Sequence, residues 1–574
     1  MERKGESRGK TPRAPVTERD SSRSPKRASG LSREVVVSAT AVKTANPLAE
    51  EFDLSASKSH GQEPLPVSFS SPPLLDGLRE SVLQALGQSA SPTPIQALSL
   101  KHLFSDIPEW RQYLLASETG SGKSIAYLLP MFHHLKKSEL ALPEPTSSTI
   151  SSRSQRAVNP RALVLAPTHE LSRQLSSFAK ALLHNIKLRV LCASRANVKS
   201  TPRATFTASK MAAQFTDDAD GTLGMPHLGV SRPVDVLVGT PNKLLEMARG
   251  RRWDRVKDET DKQLAAELSG SRSETSSKSP EPEMGLQNVE WVIVDEADIL
   301  FDPDFQESTR TLLADVAAAR GQPVPYTPDL LRSSPETSTT STLTQNTPIN
   351  YPFNLILTTA TIPPSLATYL DVHHPTLTRL ASPKLHRLPS TMKTEYEGWT
   401  GGNKDADIER RIRKVWAEDS IRSDFNGKRS KILIFCNKGT KVQSLGAFLE
   451  GKGIPNVALT KDSGARNFGN NHHLDGFLRT TNYKPKPKSS SLSEDKEPHV
   501  MITTSMLSRG LDFSPDVRHV FIADEPRNMV DFLHRAGRSA RAGQAGKVVV
   551  FGKLKGRGSA KATEMKKKVG ALRK

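Results

Sequence analysis

The stretch VEWVIVDEADILFDPD, residues 289–304, decides how this chain folds. Its first part is apolar and β-branched from Trp291 to Val294, which predicts a strand buried on both faces of a parallel sheet. The tetrapeptide DEAD, residues 295–298, follows at once. Carboxylates at the carboxyl end of such a strand lie where open α/β sheets place their active sites. One acid there can hold Mg²⁺ and the next can orient a water; the plain alternative is a solvated acidic strand end.

A glycine-rich stretch, SETGSGKS, lies between a short apolar run and the apolar start of a helix. Glycines let backbone N–H groups approach phosphates closely, Lys123 can reach the β- and γ-phosphates, and Ser124 offers a hydroxyl to Mg²⁺. This pattern predicts a phosphate-binding loop for ATP with Mg²⁺. We expect the whole loop to contact the nucleotide: Ser117, Glu118, Thr119, Gly120, Ser121, Gly122, Lys123 and Ser124.

A glutamine upstream of this loop is the candidate for reading the base. The prolines of SPTPIQ, residues 91–96, fix a turn that places Gln96 on the first turn of the next helix. Its amide offers a donor and an acceptor together, which can pair with N6 and N7 of adenine. Phe69 lies further upstream and is the candidate to stack on the ring. The alternative for Gln96 is an ordinary surface glutamine.

The composition favours a polyanionic partner. Lys and Arg together number 81 against 61 acids, a net charge of +20. The two cysteines, Cys192 and Cys436, match neither a disulfide framework nor a zinc site. No apolar run approaches the roughly 18 residues that a membrane span needs, so no membrane insertion is expected. Residues 1–65 are basic and rich in Ser and Pro, which predicts a disordered tail, either a transit peptide or a plain basic tail.

Short β-rich runs alternate with helical ones, which is typical of parallel α/β sheets. Two sets of strands predict two sheets and therefore two domains, with a break near Ser382 to Lys404. The predicted strands are Ala162–Ala166, Val234–Val238, Val289–Val294 and Asn354–Thr358, then Lys431–Phe435, His499–Thr503, His519–Ile522 and Lys547–Phe551. Four stretches read as long disordered inserts: Ser147–Asn159, Asp254–Glu283, Gly321–Asn350 and Lys484–Glu497.

The ordered motifs resemble those of the DEAD-box ATP-dependent RNA helicases, over about residues 69 to 552. The matching segments are PTPIQ (92–96), SETGSGKS (117–124), PTHEL (167–171), GTPNK (239–243), DEAD (295–298), TAT (359–361), IFCN (434–437), TS with RGLD (504–505 and 509–512), and HRAGRSAR (534–541). His169 stands where the family usually has Arg, and Ser505 where Asp is common. Residues 503–553 are especially similar to the fungal mitochondrial branch associated with assembly of the large mitochondrial ribosomal subunit.

The resemblance implies two tandem RecA-like P-loop domains with ATP between them. It predicts a basic N-terminal region at 1–65, the ATP-binding domain at 66–385, a linker at 386–403, the C-terminal helicase domain at 404–556 and a basic tail at 557–574. We expect the tail to be either an added RNA arm or a solvated disordered end.

The resemblance also assigns roles to the motif residues. Asp295 would hold Mg²⁺, through water, and Glu296 would activate the attacking water. The guanidinium groups of Arg538 and Arg541 would neutralise the γ-phosphate in the transition state, once the second domain closes on the first. Three further assignments complete the nucleotide side: Asp512 to the ribose hydroxyls, and Thr359 and Thr361 as a bridge to Asp298 that couples the nucleotide to RNA.

RNA is expected to cross both domains opposite the nucleotide. The candidate contacts are Pro167, Thr168, Gly239 and Thr240 in the first domain and Arg466, Thr504 and Gly510 in the second. Contacts to phosphates and 2′-hydroxyls carry no base information, so binding should be independent of sequence.

These observations predict a monomeric RNA-stimulated ATPase that remodels short duplexes. Its expected setting is ribosomal RNA in an assembly particle of the mitochondrial matrix, with the nucleus as the runner-up location. The main alternative is an ATP-gated RNA clamp, an assembly factor that separates few strands. A DNA helicase is a weaker option, because the motifs match the RNA branch.

Overall fold

Two parallel β-sheets flanked by helices make up the described part of the chain. The computed structural model describes residues 64–72, 74–104, 109–141, 158–194, 234–250, 282–324, 348–383, 385–421, 429–460, 471–474, 476–479, 497–540, 544–553 and 559–572. Residues 1–63 of the predicted N-terminal tail and most of each predicted insert lie outside these residues. We call the two sheets with their helices the first lobe and the second lobe.

The first lobe is built on a seven-stranded parallel sheet with the order β3-β4-β2-β5-β6-β1-β7. Its strands are β1 (Gln112–Ala116), β2 (Ala162–Leu165), β3 (Val190–Ala193), β4 (Val236–Gly239), β5 (Trp291–Val294), β6 (Asn354–Thr359) and β7 (Thr378–Ala381). Its helices are α1 (Asp76–Leu86), α2 (Pro94–Leu103), α3 (Lys123–Ala141), α4 (His169–Leu182), α5 (Pro241–Arg249), α6 (Ala297–Leu300), α7 (Gln306–Ala319) and α8 (Pro364–His373). All four strands predicted for this region are present.

The second lobe is built on a six-stranded parallel sheet with the order β10-β11-β9-β12-β13-β8. Its strands are β8 (Met392–Gly398), β9 (Lys431–Cys436), β10 (Asn456–Leu459), β11 (Val500–Thr504), β12 (Val517–Ile522) and β13 (Gly546–Gly552). Its α-helices are α9 (Lys404–Ile421), α10 (Gly439–Gly451), α11 (Ser505–Ser508), α12 (Met529–Ala536) and α13 (Ala560–Ala571), and a short 3₁₀ helix spans His472–Leu474. The two-sheet fold is therefore confirmed.

Strand β5 lies at the centre of the first sheet, between β2 and β6. Trp291 and Ile293 pack into one apolar cluster, whereas Val292 and Val294 pack into the cluster on the opposite face. A strand buried on both faces needs apolar residues at every position, which is why WVIV shows no alternation. The acidic tetrapeptide begins where this burial reaches the carboxyl edge of the sheet.

The predicted linker at 386–403 is wrong for its central part, because Met392–Gly398 forms strand β8. This strand pairs in parallel with β13 at the edge of the second sheet, from Met392 beside Gly546 to Gly398 beside Gly552. Its sequence, MKTEYEG, is polar because most of its side chains are only half-buried. An edge strand held by backbone hydrogen bonds gives no apolar signal to read from the sequence.

The C-terminal tail also differs from its prediction, because Ala560–Ala571 is a helix that packs onto the protein. Ala562, Val569 and Leu572 are buried, and the Leu388 N–H donates to the Leu572 carbonyl at 3.3 Å. The apolar residues recur at helical spacing but stand among lysines, which hid the pattern. A solvated disordered end is therefore excluded for residues 559–572.

Two predicted inserts extend less far than their composition suggested. Val158 and Met284 are buried and form an isolated parallel bridge, with the Val158 N–H donating to the Glu283 carbonyl at 3.2 Å. The ends of the inserts 147–159 and 254–283 thus belong to the first lobe. Among the described residues, no helix combines the length and apolar composition that crossing a bilayer requires.

Removing the buried end of α13 should destabilise the protein. We expect Leu572→Ala to cost about 2 kcal/mol, because it deletes a fully buried side chain and leaves a cavity. Thermal melting of the full chain should then fall by about 5 °C, and the exposed Lys567→Ala should melt within about 1 °C of the wild type. Equal melting temperatures for Leu572→Ala and wild type would contradict the packing of this helix.

Candidate functional site between the two lobes

The loop between β1 and α3 folds back on its own lysine. Lys123 Nζ donates to the carbonyls of Ser117 and Glu118 at 2.8 and 3.0 Å. The Ser117 N–H donates to the Thr359 carbonyl at 3.1 Å, so the loop is attached to the end of β6. Burial lowers the pKa of Lys123, the Glu296 carboxylate opposes that shift, and the positive charge of Arg538 adds to it. An arginine of the second lobe therefore lies close to the phosphate loop of the first.

Gln96 is buried and braces this loop. Its Oε1 accepts from the Thr93 N–H at 2.9 Å, and its Nε2 donates to the Gly122 carbonyl at 3.2 Å. Thr93 Oγ1 also donates to the Ser121 carbonyl at 2.8 Å. Each end of the amide already has a partner in the protein, so the contact with adenine stays a prediction. The surface-glutamine alternative is wrong, because Gln96 is only 3% exposed.

Phe69 belongs to the apolar cluster of the first lobe and is 2% exposed. In this conformation its ring has no exposed face on which a base could stack. The sequence alone could not show this burial, because an aromatic residue upstream of a turn can either pack or project. Stacking of Phe69 on adenine therefore requires the ring to move.

Asp295 and Glu296 form a buried acidic pair at the end of β5. Asp295 Oδ1 accepts from Thr358 Oγ1 at 2.5 Å, and its Oδ2 accepts from the Tyr127 hydroxyl at 3.3 Å. Burial, followed by the negative charge of Glu296, raises the pKa of Asp295 to about 6. Such a carboxyl group gains strongly from a nearby cation, because the cation offsets both burial and repulsion.

Glu296 has the geometry of a group held ready to act on another molecule. It adopts a left-handed backbone with φ of 54°, uncommon for a residue other than glycine, at the start of α6. Its side chain is 4% exposed, and Oε2 has no hydrogen-bond partner among the described residues. A buried carboxylate oxygen without a donor is costly, so it is expected to serve a functional role.

These groups fit a magnesium ion. Mg²⁺ prefers oxygen ligands, and it is usually held by one or two carboxylates together with water and substrate phosphates. Ser124 and Asp295 both interact with the Tyr127 hydroxyl, which places the predicted metal-binding hydroxyl beside the predicted metal-binding carboxylate. A buried pair of acids beside a phosphate loop supplies the charge and the donor atoms that such an ion needs.

Asp298 joins the two lobes. Its Oδ2 accepts from Thr361 Oγ1 at 3.0 Å, and His534 Nε2 of the second lobe lies 2.9 Å from the same oxygen. Arg509, also of the second lobe, donates to this oxygen at 3.2 Å. Burial alone would raise the pKa of Asp298, but His534 and then Arg509 and Thr361 outweigh it and hold the pKa below its usual range.

Of the two threonines expected to bridge to Asp298, only Thr361 bonds to it. Thr359 Oγ1 donates instead to the Thr361 carbonyl at 2.6 Å, and the Thr361 N–H donates back to that hydroxyl at 3.3 Å. Thr359 therefore shapes the turn that presents Thr361. The expected direct bond from Thr359 to Asp298 is absent from the described hydrogen bonds.

Arg538 is 2% exposed and is held from two sides. Its Nε donates to the His534 carbonyl at 2.9 Å, and an Nη donates to the Leu511 carbonyl at 3.1 Å. A guanidinium fixed in this way is oriented before any phosphate arrives, which is what an arginine finger requires. Arg541, the second predicted finger, lies outside the described residues.

Helix α4 forms a further contact between the lobes. Gln174 Nε2 donates to the Asp512 carbonyl at 3.1 Å, and its Oε1 accepts from the Asp512 N–H at 2.8 Å. Gly510 has φ of +67°, and a Cβ placed there would come within 2.3 Å of a methyl group of Leu171. The backbone of Asp512 thus faces the first lobe, and its contact with the ribose stays a prediction. Thr119 adds a bond to the Gly537 carbonyl at 3.1 Å.

The residues expected to contact RNA lie at strand ends. Thr168 Oγ1 caps α4 and Thr240 Oγ1 caps α5, accepting from backbone N–H groups at 3.3 and 3.4 Å. Pro167, Gly239 and Thr504 occupy the carboxyl ends of strands or the turn after one, whereas Gly510 lies in the turn after helix α11. Arg466 lies outside the described residues.

The unusual Ser505 belongs to an ion-pair network inside the second lobe. Its hydroxyl donates to Asp531 Oδ1 at 2.7 Å and accepts from Arg535 Nε at 2.7 Å. Arg535 is 2% exposed and pairs with Asp531 at 2.6 Å. Asp531 thus supplies the negative charge at this site. Ser505 therefore orients Arg535, and the carboxylate comes from helix α12.

Sequence reasoning missed several of these functional contacts. His534 and Arg509 were quoted within motifs, but no partner was assigned to them. Tyr127 follows Lys123 by four residues on one helix, a spacing that places both on the same face. That spacing was the available signal for Tyr127. No signal in the sequence indicated Gln174, because a polar residue on a helix does not reveal which distant loop it contacts.

The chain is similar in sequence to known proteins over most of its length. A family model described as DEAD/DEAH box helicase matches residues 93–368, and one described as helicase conserved C-terminal domain matches residues 420–543. A protein of Cryptococcus neoformans var. neoformans serotype D, named ATP-dependent RNA helicase MRH4, mitochondrial, is 32% identical over 85% of this chain and 83% of its own length. A protein of the same name from Phaeosphaeria nodorum is 27% identical over 84% of this chain and 69% of its own.

Solved structures share the two-lobed fold. Mss116p bound to single-stranded RNA and AMP-PNP matches with a TM-score of 0.51 at 16% identity, over 83% of this chain and 72% of that one. Dbp5 of S. cerevisiae bound to RNA and ADP BeF3 matches with a TM-score of 0.51 at 17% identity, over 88% of this chain and 94% of that one. Identities this low establish the fold alone.

A side chain at position 122 should disturb the bracing of the loop by Gln96. Gly122 has φ of +86°, and a Cβ there would lie 2.2 Å from Gln96 Nε2. The left-handed backbone alone costs another residue about 1–2 kcal/mol. We therefore expect Gly122→Ala to weaken binding of a fluorescent ATP analogue about tenfold.

The matched control is Gly402→Ala, whose Cβ would meet no atom within 4 Å. It should bind the analogue as the wild type does. Unchanged affinity in Gly122→Ala would show that the contact between Gln96 and the loop is dispensable for nucleotide binding.

Proposed function

Because this chain belongs to the DEAD-box family of ATP-dependent RNA helicases, we propose that it remodels RNA duplexes during assembly of the large mitochondrial ribosomal subunit. The observation that supports ATP hydrolysis is the contact surface between the two lobes, which we call the seam. The phosphate loop and acidic pair of one lobe meet His534 and Arg538 of the other there. ATP and RNA are the ligands of this family, and hydrolysis stimulated by RNA is its activity.

Glu296 is proposed as the group that activates the attacking water. Its Oε2, which has no hydrogen-bond partner within the described ranges, is the acceptor for a proton of that water, and its backbone is fixed by the start of α6. Asp295, with Ser124, would hold Mg²⁺, which supplies positive charge to the phosphates when bound. Lys123, now bonded to loop carbonyls, is the cation that would turn to the phosphates.

The second lobe completes the site. Arg538 is oriented by its bonds to the His534 and Leu511 carbonyls, so its guanidinium can neutralise charge that develops on the γ-phosphate. His534 lies on helix α12, which ends just before Arg538, and it bonds to Asp298. A ligand that contacts both lobes, as RNA is expected to, would stabilise this contact. By linkage, RNA and ATP would then strengthen each other's binding by one common factor.

The RNA contacts are proposed to be independent of sequence. Backbone groups, glycines and helix-capping threonines are suited to phosphates and 2′-hydroxyls, which are the same at every nucleotide. Choice of target would then depend on other parts of the chain or on the assembly particle. The net charge of +20 favours such a polyanionic setting.

The location proposed is the mitochondrial matrix, and the chain is proposed to act as a monomer on ribosomal RNA. Support for the location comes from relatives that carry the word mitochondrial in their names. The role in large-subunit assembly follows from the resemblance of residues 503–553 to the fungal mitochondrial branch.

Glu296→Gln should separate binding from hydrolysis. The amide keeps the shape of the side chain but cannot take a proton from water, so turnover should fall by about 10²–10⁴. ATP-dependent binding of single-stranded RNA should persist. The measurements are the ATPase rate with RNA, RNA affinity with ATP, and release of a short labelled duplex.

In the same experiment, wild type should release the duplex with hydrolysable ATP. Near-normal turnover in Glu296→Gln would exclude Glu296 as the base. Wild type that retains single strands under ATP without releasing duplexes would favour the clamp instead of the helicase.

Arg538→Ala should uncouple RNA from hydrolysis. Loss of an arginine finger typically lowers turnover by about 10³ or more, and most of its effect is on the transition state. We expect the RNA-stimulated rate to fall by about 10³, with ATP affinity changed much less. The matched control is Arg413→Ala, an exposed arginine of the same lobe, which should retain the full rate. Normal RNA stimulation in Arg538→Ala would contradict this role.

A further inference from the structure

A ten-residue connector, residues 382–391, joins the last strand of the first lobe to the first strand of the second. It is attached at both ends. Leu385 is buried in an apolar cluster of the first lobe, and the Ser382 N–H donates to the Ala116 carbonyl at 2.8 Å. Leu388 bonds through its N–H to the Leu572 carbonyl of the second lobe. His386 lies between these two attachments.

His386 is held in an unusual backbone conformation and points inward. Its φ is +61°, which is uncommon for a residue with a side chain, and it is 6% exposed. Its Nε2 accepts a hydrogen bond from the Ile362 N–H at 3.1 Å. Pro363 and Pro364 follow Ile362 and have no N–H, so this is the last backbone donor before helix α8 continues the chain.

Ile362, the residue that bonds to His386, lies next to the contacts that join the two lobes at Asp298. Ile362 directly follows Thr361, whose hydroxyl bonds to Asp298 and lies 3.0 Å from His534 Nε2. His386 also lines a small cavity together with Thr119, Thr361 and His534. The connector therefore bonds to the backbone after Thr361 and faces the same cavity as the β1–α3 loop and helix α12.

The state of the imidazole agrees with this bond. Burial, and then the charge of His534, lowers the pKa of His386 to about 4. The ring is therefore neutral at neutral pH, with its proton on Nδ1 and a lone pair on Nε2. That lone pair is what the Ile362 N–H requires as an acceptor.

We propose that His386 is a positioning residue for hydrolysis: it fixes the backbone after Thr361, so that Thr361 can hold Asp298 and His534 together. The connector then takes part in coupling the lobes, beyond tethering them. This inference rests on the proposed RNA-stimulated hydrolysis, and it assigns His386 no contact with ATP or RNA.

The test compares two replacements in the full-length protein. His386→Gln keeps an acceptor at a similar reach, whereas His386→Leu removes it at similar volume; both carry the same backbone strain. We expect His386→Leu to lower the RNA-stimulated kcat about tenfold, with KM for ATP within about twofold, since it leaves the Ile362 N–H unsatisfied. His386→Gln should restore most of the rate, and the exposed Ser390→Ala should match the wild type.

A double mutant shows whether His386 acts through Thr361. In a Thr361→Val background, adding His386→Leu should lower kcat by no more than about twofold further, because the hydroxyl that His386 positions is already gone. The melting temperature of each variant is measured as well, to confirm that it folds. Should His386→Leu not fold, His386→Asn replaces it, because Asn suits the left-handed backbone but is too short to reach Ile362.

The outcomes separate this inference from the proposed function. A wild type without RNA stimulation would refute the proposed function. A stimulated wild type with an unaffected His386→Leu, or equal losses in His386→Leu and His386→Gln, would refute the role of the acceptor. Additive losses with Thr361→Val would show that His386 acts independently of the threonine turn.

Discussion

The arrangement of the two lobes depends on the contacts made by one ionised carboxylate, that of Asp298. A buried negative charge is costly, and here it is compensated by a threonine of its own lobe together with a histidine and an arginine of the other. Removing the second lobe would leave that charge buried with far fewer donors. The lobes therefore have an electrostatic reason to meet at the carboxyl end of β5.

The acidic residues at the end of β5 therefore differ in their electrostatic environments. Burial and the charge of Glu296 raise the pKa of Asp295, whereas cationic partners lower that of Asp298. Glu296 lies between them with an oxygen that has no donor among the described residues. Three carboxylates within four residues therefore face three different environments, which suits a cation, a water and the second lobe.

Close backbone approach is the other condition for this seam. Gly510 sits against Leu171, and the Asp512 backbone exchanges two hydrogen bonds with Gln174. These contacts involve main-chain atoms of the second lobe, and the one at position 510 requires glycine because a Cβ there would collide with Leu171. In the network of Ser505, Asp531 and Arg535, the carboxylate that holds the arginine comes from the arginine's own helix, and the Ser505 hydroxyl bonds to both side chains.

The sequence by itself determined the two parallel sheets, the glycine-rich loop before α3 and the acidic strand end. Each depends on a local pattern: an apolar run such as WVIV, or glycines followed by Lys123, constrains a few adjacent residues. Strand β8 and helix α13 escaped this reading, because backbone pairing at a sheet edge and sparse burial leave little apolar signal. Only the tertiary structure decided the second-lobe partners of Asp298, the contact of Gln96 with Gly122 and the partner of His386. Those partners lie on separate segments, and which of them meet depends on how the sheets and lobes pack.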